Sequence, residues 1–394
     1  MGGVTVRHGV VLIGLLLVAC GARSVLSEGE SQGGGPNRSD ASTSLPDAST
    51  SLPDASTSLP DASTSLPDAD TTPNADASHP DAGTIRPPTC VEDGGASVVL
   101  PPCPACVAGS PPMLVAQVEP AHNLSPSIVL AGESLYIGTM ATTGELTDTI
   151  TKTRKCGGPA TTVACGLSYV INLAADEKDV YYAAQSGVGA IAIDGGARRA
   201  LWWTTPNEMP RGLALDPANV YFGTLPIGYV RRVPKAGGAA VDLTTSENTS
   251  GLALAGERLF LAGIPVGSVA KDGGPVDEID PREGLAIATD ATTLAYAVYR
   301  SSLFVRPLAG GPSIKISGDD DAPISVALAD DAIYFSTYGA SRGQAKDGAI
   351  KKAPRNGGPV VVVADNQRFP YPVLVDATCA YWATVDGRIW RAPR

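Results

Sequence analysis

The stretch "VYFGTLPIGYVRRVPKAGGAAVDLTT", Val220 to Thr245, is one copy of a unit that recurs along most of the chain. Seven segments open with an apolar run of small residues: "SIVLA", "VINLA", "GLALD", "GLALA", "GLAIA", "SVALA" and "PVLVD". A turn rich in Asp, Gly and Asn follows, then an aromatic run: "LYIGT", "VYYAA", "VYFGT", "LFLAG", "LAYAV", "IYFST" and "AYWAT". A third run ends in a glycine pair at Gly157-Gly158, Gly195-Gly196, Gly237-Gly238, Gly273-Gly274, Gly310-Gly311 and Gly357-Gly358, spaced by 38, 42, 36, 37 and 47 residues. Glycine supplies the positive φ that tight hairpins require. A fourth run, such as "AAVDLTT" or "PVVVVAD", closes each unit.

Four short antiparallel strands in about 40 residues is the period of a propeller blade. The fold class expected is therefore all-β, a seven-bladed β-propeller over residues 111–394, with six or eight as the neighbouring counts. Small residues in the first strand suit the crowded position beside a central axis, and aromatic second strands fill the wedge between blades. Seven first strands face only six glycine pairs, because the last unit, "YPVLVDATCAYWATVDGRIWRAPR", stops after its third strand. The orphan segment "PPMLVAQVE", residues 111–119, matches a fourth strand. Pairing it with the C-terminal strands closes the ring and removes two sheet edges that would invite aggregation. With Tyr381-Trp382-Ala383-Thr384 as the nearest local match, the domain resembles the YWTD and NHL-like propeller repeats of bacterial envelope and secreted proteins. That resemblance implies a fold and no specific activity.

The first hundred residues read differently. Arg7 precedes an apolar run from Val10 to Ala19, too short to span a bilayer as a helix but suited to a signal-peptide core. Leu17-Val18-Ala19-Cys20 followed by Gly21 resembles the lipobox of bacterial lipoproteins, which implies cleavage after residue 19 and diacylation of Cys20. Two acyl chains on one residue anchor stably. Gly21 in place of Asp favours the outer membrane within that family, with the protein facing the periplasm or the surface of the cell envelope. Residues 20–88 form a tether in which "DASTSLP" occurs four times from Asp40. A proline in every heptad forbids a continuous helix, and one leucine per unit leaves no seam to bury. Such a composition stays disordered. Its reach is roughly 45–50 Å as a coil and ~200 Å as polyproline II. Residues 89–110 are a cysteine-containing lead-in to the ring.

Of the net charge of −11, residues 21–88 carry ten acids against three arginines, leaving the rest mildly acidic. No basic stripe is available to neutralise phosphates, which argues against nucleic acid. Six cysteines beyond Cys20 allow 15 pairings. "CPAC", Cys103 to Cys106, imitates a redox motif, but "VAGSPPM" after it starts no helix to lower a thiol pKa. Structural disulfides are expected in an exported chain. Cys106, or Cys103, leads into the closing strand, and Cys379 lies in the first turn of the unit that strand completes, so a bridge there would staple the ring. Cys156 and Cys165 look like a pair, yet a regular hairpin would set them some 20 Å apart, and their pairing stays open.

The three histidines are His8, His79 and His122, so His-dependent catalysis has at most one candidate in the ring. No metal or cofactor is expected; the acidic triplet Asp319, Asp320 and Asp321 reads as a solvated loop, and Asp216 and Asp330 as turn caps. Binding is the stronger reading. Loops joining the second to the third strand, and the fourth to the next blade, share one face. That face gathers Trp203, Glu208, Arg211, Arg282, Glu283, the acidic triplet and Arg368. Trp202 and Trp203 cannot both face the core of one strand. The function expected is a membrane-anchored, non-enzymatic, monomeric module that binds protein or glycan; the alternative is a glycan-active hydrolase or lyase using acids and arginines of the same face.

Overall fold

The computed structural model describes residues 101–118, 126–140, 147–193, 195–205, 208–318, 322–340 and 345–394. The signal segment, the tether with Cys20, and Asp319, Asp320 and Asp321 lie outside these residues. Twenty-eight strands form seven four-stranded antiparallel sheets, with no helix among the described residues. Blade 1 holds β2 to β5 (Ser127–Ala131, Ser134–Gly138, Asp148–Arg154, Thr161–Leu167), and blade 2 holds β6 to β9 (Asn172–Ala175, Asp179–Ala184, Gly187–Ala192, Arg199–Trp203). Blade 3 holds β10 to β13 (Met209–Leu215, Asn219–Leu225, Tyr229–Pro234, Val241–Thr245), and blade 4 holds β14 to β17 (Glu247–Ala255, Arg258–Ile264, Val266–Ala270, Asp277–Asp280). Blade 5 holds β18 to β21 (Gly284–Thr289, Thr293–Val298, Leu303–Pro307, Ile314–Lys315), and blade 6 holds β22 to β25 (Pro323–Leu328, Ala332–Thr337, Gly348–Pro354, Val361–Gln367).

Blade 7 is built from both ends of the described chain. It takes β26 (Val373–Val375), β27 (Cys379–Ala383) and β28 (Arg388–Pro393), and its fourth strand is β1 (Met113–Gln117). Met113 pairs with Arg391 and Gln117 with Arg388, antiparallel. The count of seven blades and the circular closure thus stand as the repeat pattern implies. All six glycine pairs adopt positive φ, from +86° to +102° at the first residue and +122° to +140° at the second. In each, the first glycine N–H donates to the carbonyl three residues back, at 2.9–3.1 Å.

The core is divided among seven apolar clusters, one per blade interface. The cause is the period-2 alternation of a strand. In every blade but the fifth, the second strand carries two large residues adjacent in sequence, and they face opposite blades. Tyr221 enters the cluster shared with blade 4, while Phe222 enters the one shared with blade 2. Tyr334 and Phe335, and Tyr381 and Trp382, divide in the same way. All six are essentially inaccessible to solvent. An aromatic doublet in the second strand therefore supplies both walls of a wedge.

Two disulfides clamp the seam. Cys106 is bonded to Cys379, the first residue of β27, and Cys103 to Cys156, in the β4–β5 hairpin of blade 1. The two cysteines of the CPAC segment thus reach the two blades that flank the closure. The Cys103 N–H also donates to Glu133, the Arg154 guanidinium to the Pro101 carbonyl, and the Arg391 guanidinium to the Pro104 carbonyl. Cys165, on β5, is disulfide-bonded too, and since Cys156 is taken by Cys103, the two are not partners.

Candidate functional site

The loop face carries the residues singled out from the sequence, but most of them are engaged. Trp202 and Trp203 end β9 and divide as strand geometry demands. Trp202 packs on Phe222 of blade 3, ring centroids 4.9 Å apart, while Trp203 is 63% exposed. Glu208 does not stand free: its side chain is buried against Arg231 of β12. The Arg231 guanidinium lies 4.5 Å from the Tyr229 ring and 5.3 Å from the Trp202 ring, and also pairs with Asp242. Burial would lower the Arg231 pKa, but Glu208 and Asp242 more than offset this and raise it. Sequence reasoning missed Arg231. Its only signal was the doublet Arg231-Arg232 inside a strand that otherwise alternates.

Arg282 is held similarly, pairing with Asp280 at 2.6 Å, bonding Ser301 at 3.2 Å and lying 4.8 Å from the Phe304 ring. Burial alone would raise the Asp280 carboxyl; the Arg282 side chain and its backbone N–H outweigh it and hold it low. Glu283, next in sequence, is the reverse case. Burial pushes its carboxyl up, and only the Asn248 amide, at 3.5 Å, opposes this. Arg211 lies on β10, directly before Gly212. Arg368 sits in the β25–β26 connection, where its carbonyl accepts the Val385 N–H at 3.2 Å. Glu208, Arg282 with Glu283, and Arg368 therefore occupy three different interblade connections around the ring.

At the centre of the ring lies a cavity of about 110 Å³. Gly212, Gly251, Ala286 and Ser325 line it from equivalent positions of four first strands, joined by Asn172 and Tyr371. Small side chains here are a steric necessity. A Cβ on Gly212 would stand 3.0 Å from the Gly251 backbone of the next blade. Four non-glycine residues with positive φ, Tyr169, Asn248, Ala322 and Phe369, occupy one equivalent position where the chain enters four blades. That recurrence makes the conformation a feature of the repeat and not the strain of a single active site. Among the described residues, no three His, Cys, Asp or Glu side chains converge as metal ligands would.

The opposite face reveals a recurrent interblade contact. Asp176, Asp216 and Asp376, each at the first turn of a blade, accept two backbone N–H groups of that turn at 2.6–2.9 Å. Each also accepts the hydroxyl of the tyrosine five residues on: Tyr181 at 3.0 Å, Tyr221 at 2.8 Å and Tyr381 at 3.0 Å. A cation from the next blade completes the set: Lys235 at 2.7 Å, Lys271 at 3.9 Å and Lys155 at 3.2 Å respectively. Asp290 caps its turn and is reached by Arg355 in the same way. These cations all sit two residues before a glycine pair. Where the acid is Ala131 or Ala255, the cation position holds Ile193 or Leu308, and each couple packs into one apolar cluster. In blade 6 the turn belongs to Ala329, whose N–H donates to the Ala332 carbonyl. Asp330, read from sequence as a cap, is instead fully exposed and faces Arg394 at 3.7 Å, because it is one residue out of register with the other acids.

No family model matches the chain, and no curated protein matches it. Solved structures do. The chain is similar to the WD40 β-propeller domain of Doa1, with a TM-score of 0.56 at 10% identity, covering 71% of this chain and 96% of that one. It is similar to an extracellular domain assigned to a hybrid two-component system of B. thetaiotaomicron, at TM-score 0.54 and 13% identity over 72% of this chain, but it spans only 41% of that protein. The designed protein Ika8 gives 0.52 at 13% identity, covering 71% of this chain and 99% of the design. At such identities these likenesses establish one thing, the β-propeller fold.

Proposed function

We propose that this chain is a bacterial lipoprotein, anchored in the outer membrane through acylated Cys20, whose propeller serves as a non-enzymatic binding module for protein or glycan. On this reading its repeats belong with the YWTD and NHL-like propellers. The carrying observation is the exposed Trp203 at the rim of the loop face, beside a strand fixed by the Trp202–Arg231–Glu208 stack. A rigid aromatic anchor beside ordered polar groups is what binding surfaces use. The bridges Cys103–Cys156 and Cys106–Cys379 support export, since disulfides persist in oxidising compartments.

Two measurements test the reading. In a Gram-negative host, the full chain should sediment with the outer membrane, and Cys20→Ala should shift it to the soluble fraction; equal sedimentation of both would refute the anchor. Cross-linking from intact envelope should capture a partner that is lost in the loop-face variant Trp203→Ala/Arg368→Ala and kept in the opposite-face variant Glu257→Ala/Arg258→Ala. Equal capture by both would refute the loop face as the binding surface.

A further inference from the structure

Among the described residues, Trp203 is the one aromatic side chain in the exposed class, and its surroundings indicate what it meets. Its cross-strand partner is Gly187, which offers no side chain to cover the indole. Gly187 cannot readily be replaced: its φ is +140°, and a Cβ there would stand 2.1 Å from the Trp202 carbonyl oxygen. The backbone therefore enforces a bare strand opposite the ring. The platform is also rigid. The Thr204 N–H donates to the Ser186 carbonyl at 3.1 Å, the Thr204 hydroxyl donates to the Glu208 carbonyl at 2.5 Å, and Trp202 is locked between Phe222 and Arg231.

The neighbours along the chain and across the hairpin are neutral: Gln185, Ser186, Thr204 and Thr205. Among the described residues nearby, Glu208 and Arg231 are paired, with side chains only 8% and 12% exposed, and Arg231 also holds the more exposed Asp242. A flat apolar ring whose described neighbours along the chain and across the hairpin carry hydroxyl and amide groups matches the chemistry of an uncharged sugar. The C–H face of a pyranose lies on the indole while its hydroxyls exchange hydrogen bonds with the border. We infer that Trp203, with Gln185, Ser186 and Thr204, is a docking platform for a neutral pyranose of a glycan, which rests on the loop face being the binding surface.

The test titrates the full chain with the soluble β-1,4-linked hexasaccharides of glucose and of N-acetylglucosamine, read by tryptophan emission and by titration calorimetry. At least one should give saturable heat and a blue shift of the exposed tryptophan. Trp203→Ala should weaken it about tenfold or more, Trp203→Tyr should retain most of it, and Trp390→Phe should leave it unchanged. Saturable heat absent with both sugars, or undiminished in Trp203→Ala, overturns the inference. If neither sugar binds while Trp203→Ala loses a captured envelope protein, the platform is a protein contact; the glycan assignment then falls and the loop-face module stands. If that capture is unaffected as well, both readings fall.

Discussion

Five second strands carry a tyrosine at the same depth, and the fate of its hydroxyl depends on the residue five positions earlier. Tyr181, Tyr221 and Tyr381 donate to an aspartate, and Tyr136, preceded by Ala131, reaches the Ile193 carbonyl of the next blade at 2.7 Å. Tyr334, preceded by Ala329, has no hydrogen-bond partner among the described residues although its hydroxyl is buried. A buried hydroxyl without a partner costs about 1–3 kcal/mol, whereas a satisfied one contributes about 1. Tyr221→Phe should therefore destabilise by about 1 kcal/mol, and Tyr334→Phe should be neutral or stabilising. Ala329→Asp, restoring the acceptor, should stabilise by about 0.5–1.5 kcal/mol. Chemical unfolding of the three variants checks the order; equal losses at Tyr221 and Tyr334 would refute the account. The cap at Asp216 was legible from sequence because it is local, spanning three residues. Its cation, Lys271, is 55 residues away and was not.

At the scale of elements, the seam is the place where the fold depends on one pairing. β1 contributes five residues, and without it β28 would present an open edge. The Cys106–Cys379 bridge closes a loop with a sequence separation of 273, long enough for the cross-link to remove much unfolded-state entropy. Replacing both by serine should cost about 2–4 kcal/mol and lower Tm by several degrees. Cys103–Cys156 would still hold the lead-in to blade 1, so β1 would remain tethered at one side. Differential scanning calorimetry under non-reducing conditions reads the change. An unaltered Tm would mean that β1 holds the seam through its backbone pairing alone. The elements themselves were visible in the sequence, since their signals (aromatic doublets, glycine pairs, small first strands) are carried within a few residues. Pairing Cys103 with Cys156 was not visible, because it depends on how the lead-in crosses from one blade to another.

At the scale of the whole molecule, each blade touches its two neighbours, and the ring is as strong as seven interfaces. Four of these carry an aspartate tied to a cation from the next blade. Burial would raise the Asp176 carboxyl, but Lys235, the Asp179 and Lys178 amides and the Tyr181 hydroxyl overcome it and hold it at about 2. Asp216, Asp290 and Asp376 are also held below the ordinary carboxylate range, against the same burial. A carboxyl whose pKa is lower folded than unfolded adds stability above its unfolded pKa and loses it as pH falls through the folded value. Tm should therefore be flat at neutral pH and drop between about pH 4 and pH 2. Asp176→Asn should show a shallower drop. A Tm that declined with the same slope in Asp176→Asn would sink the assignment. Salt should have a modest effect, because these pairs are partly exposed.

Read alone, the sequence determined the all-β class and pointed to seven blades and a circular closure, because each follows from short-range periodicity repeated seven times. It also separated Trp202 from Trp203, since successive residues of a strand point to opposite faces. Only the tertiary structure decided which of the two is exposed and that Glu208 is spent on Arg231. It likewise decided which lysine meets which aspartate. Those outcomes are set by side chains from neighbouring strands and blades meeting across the wedge, a distance that periodicity along the chain does not encode.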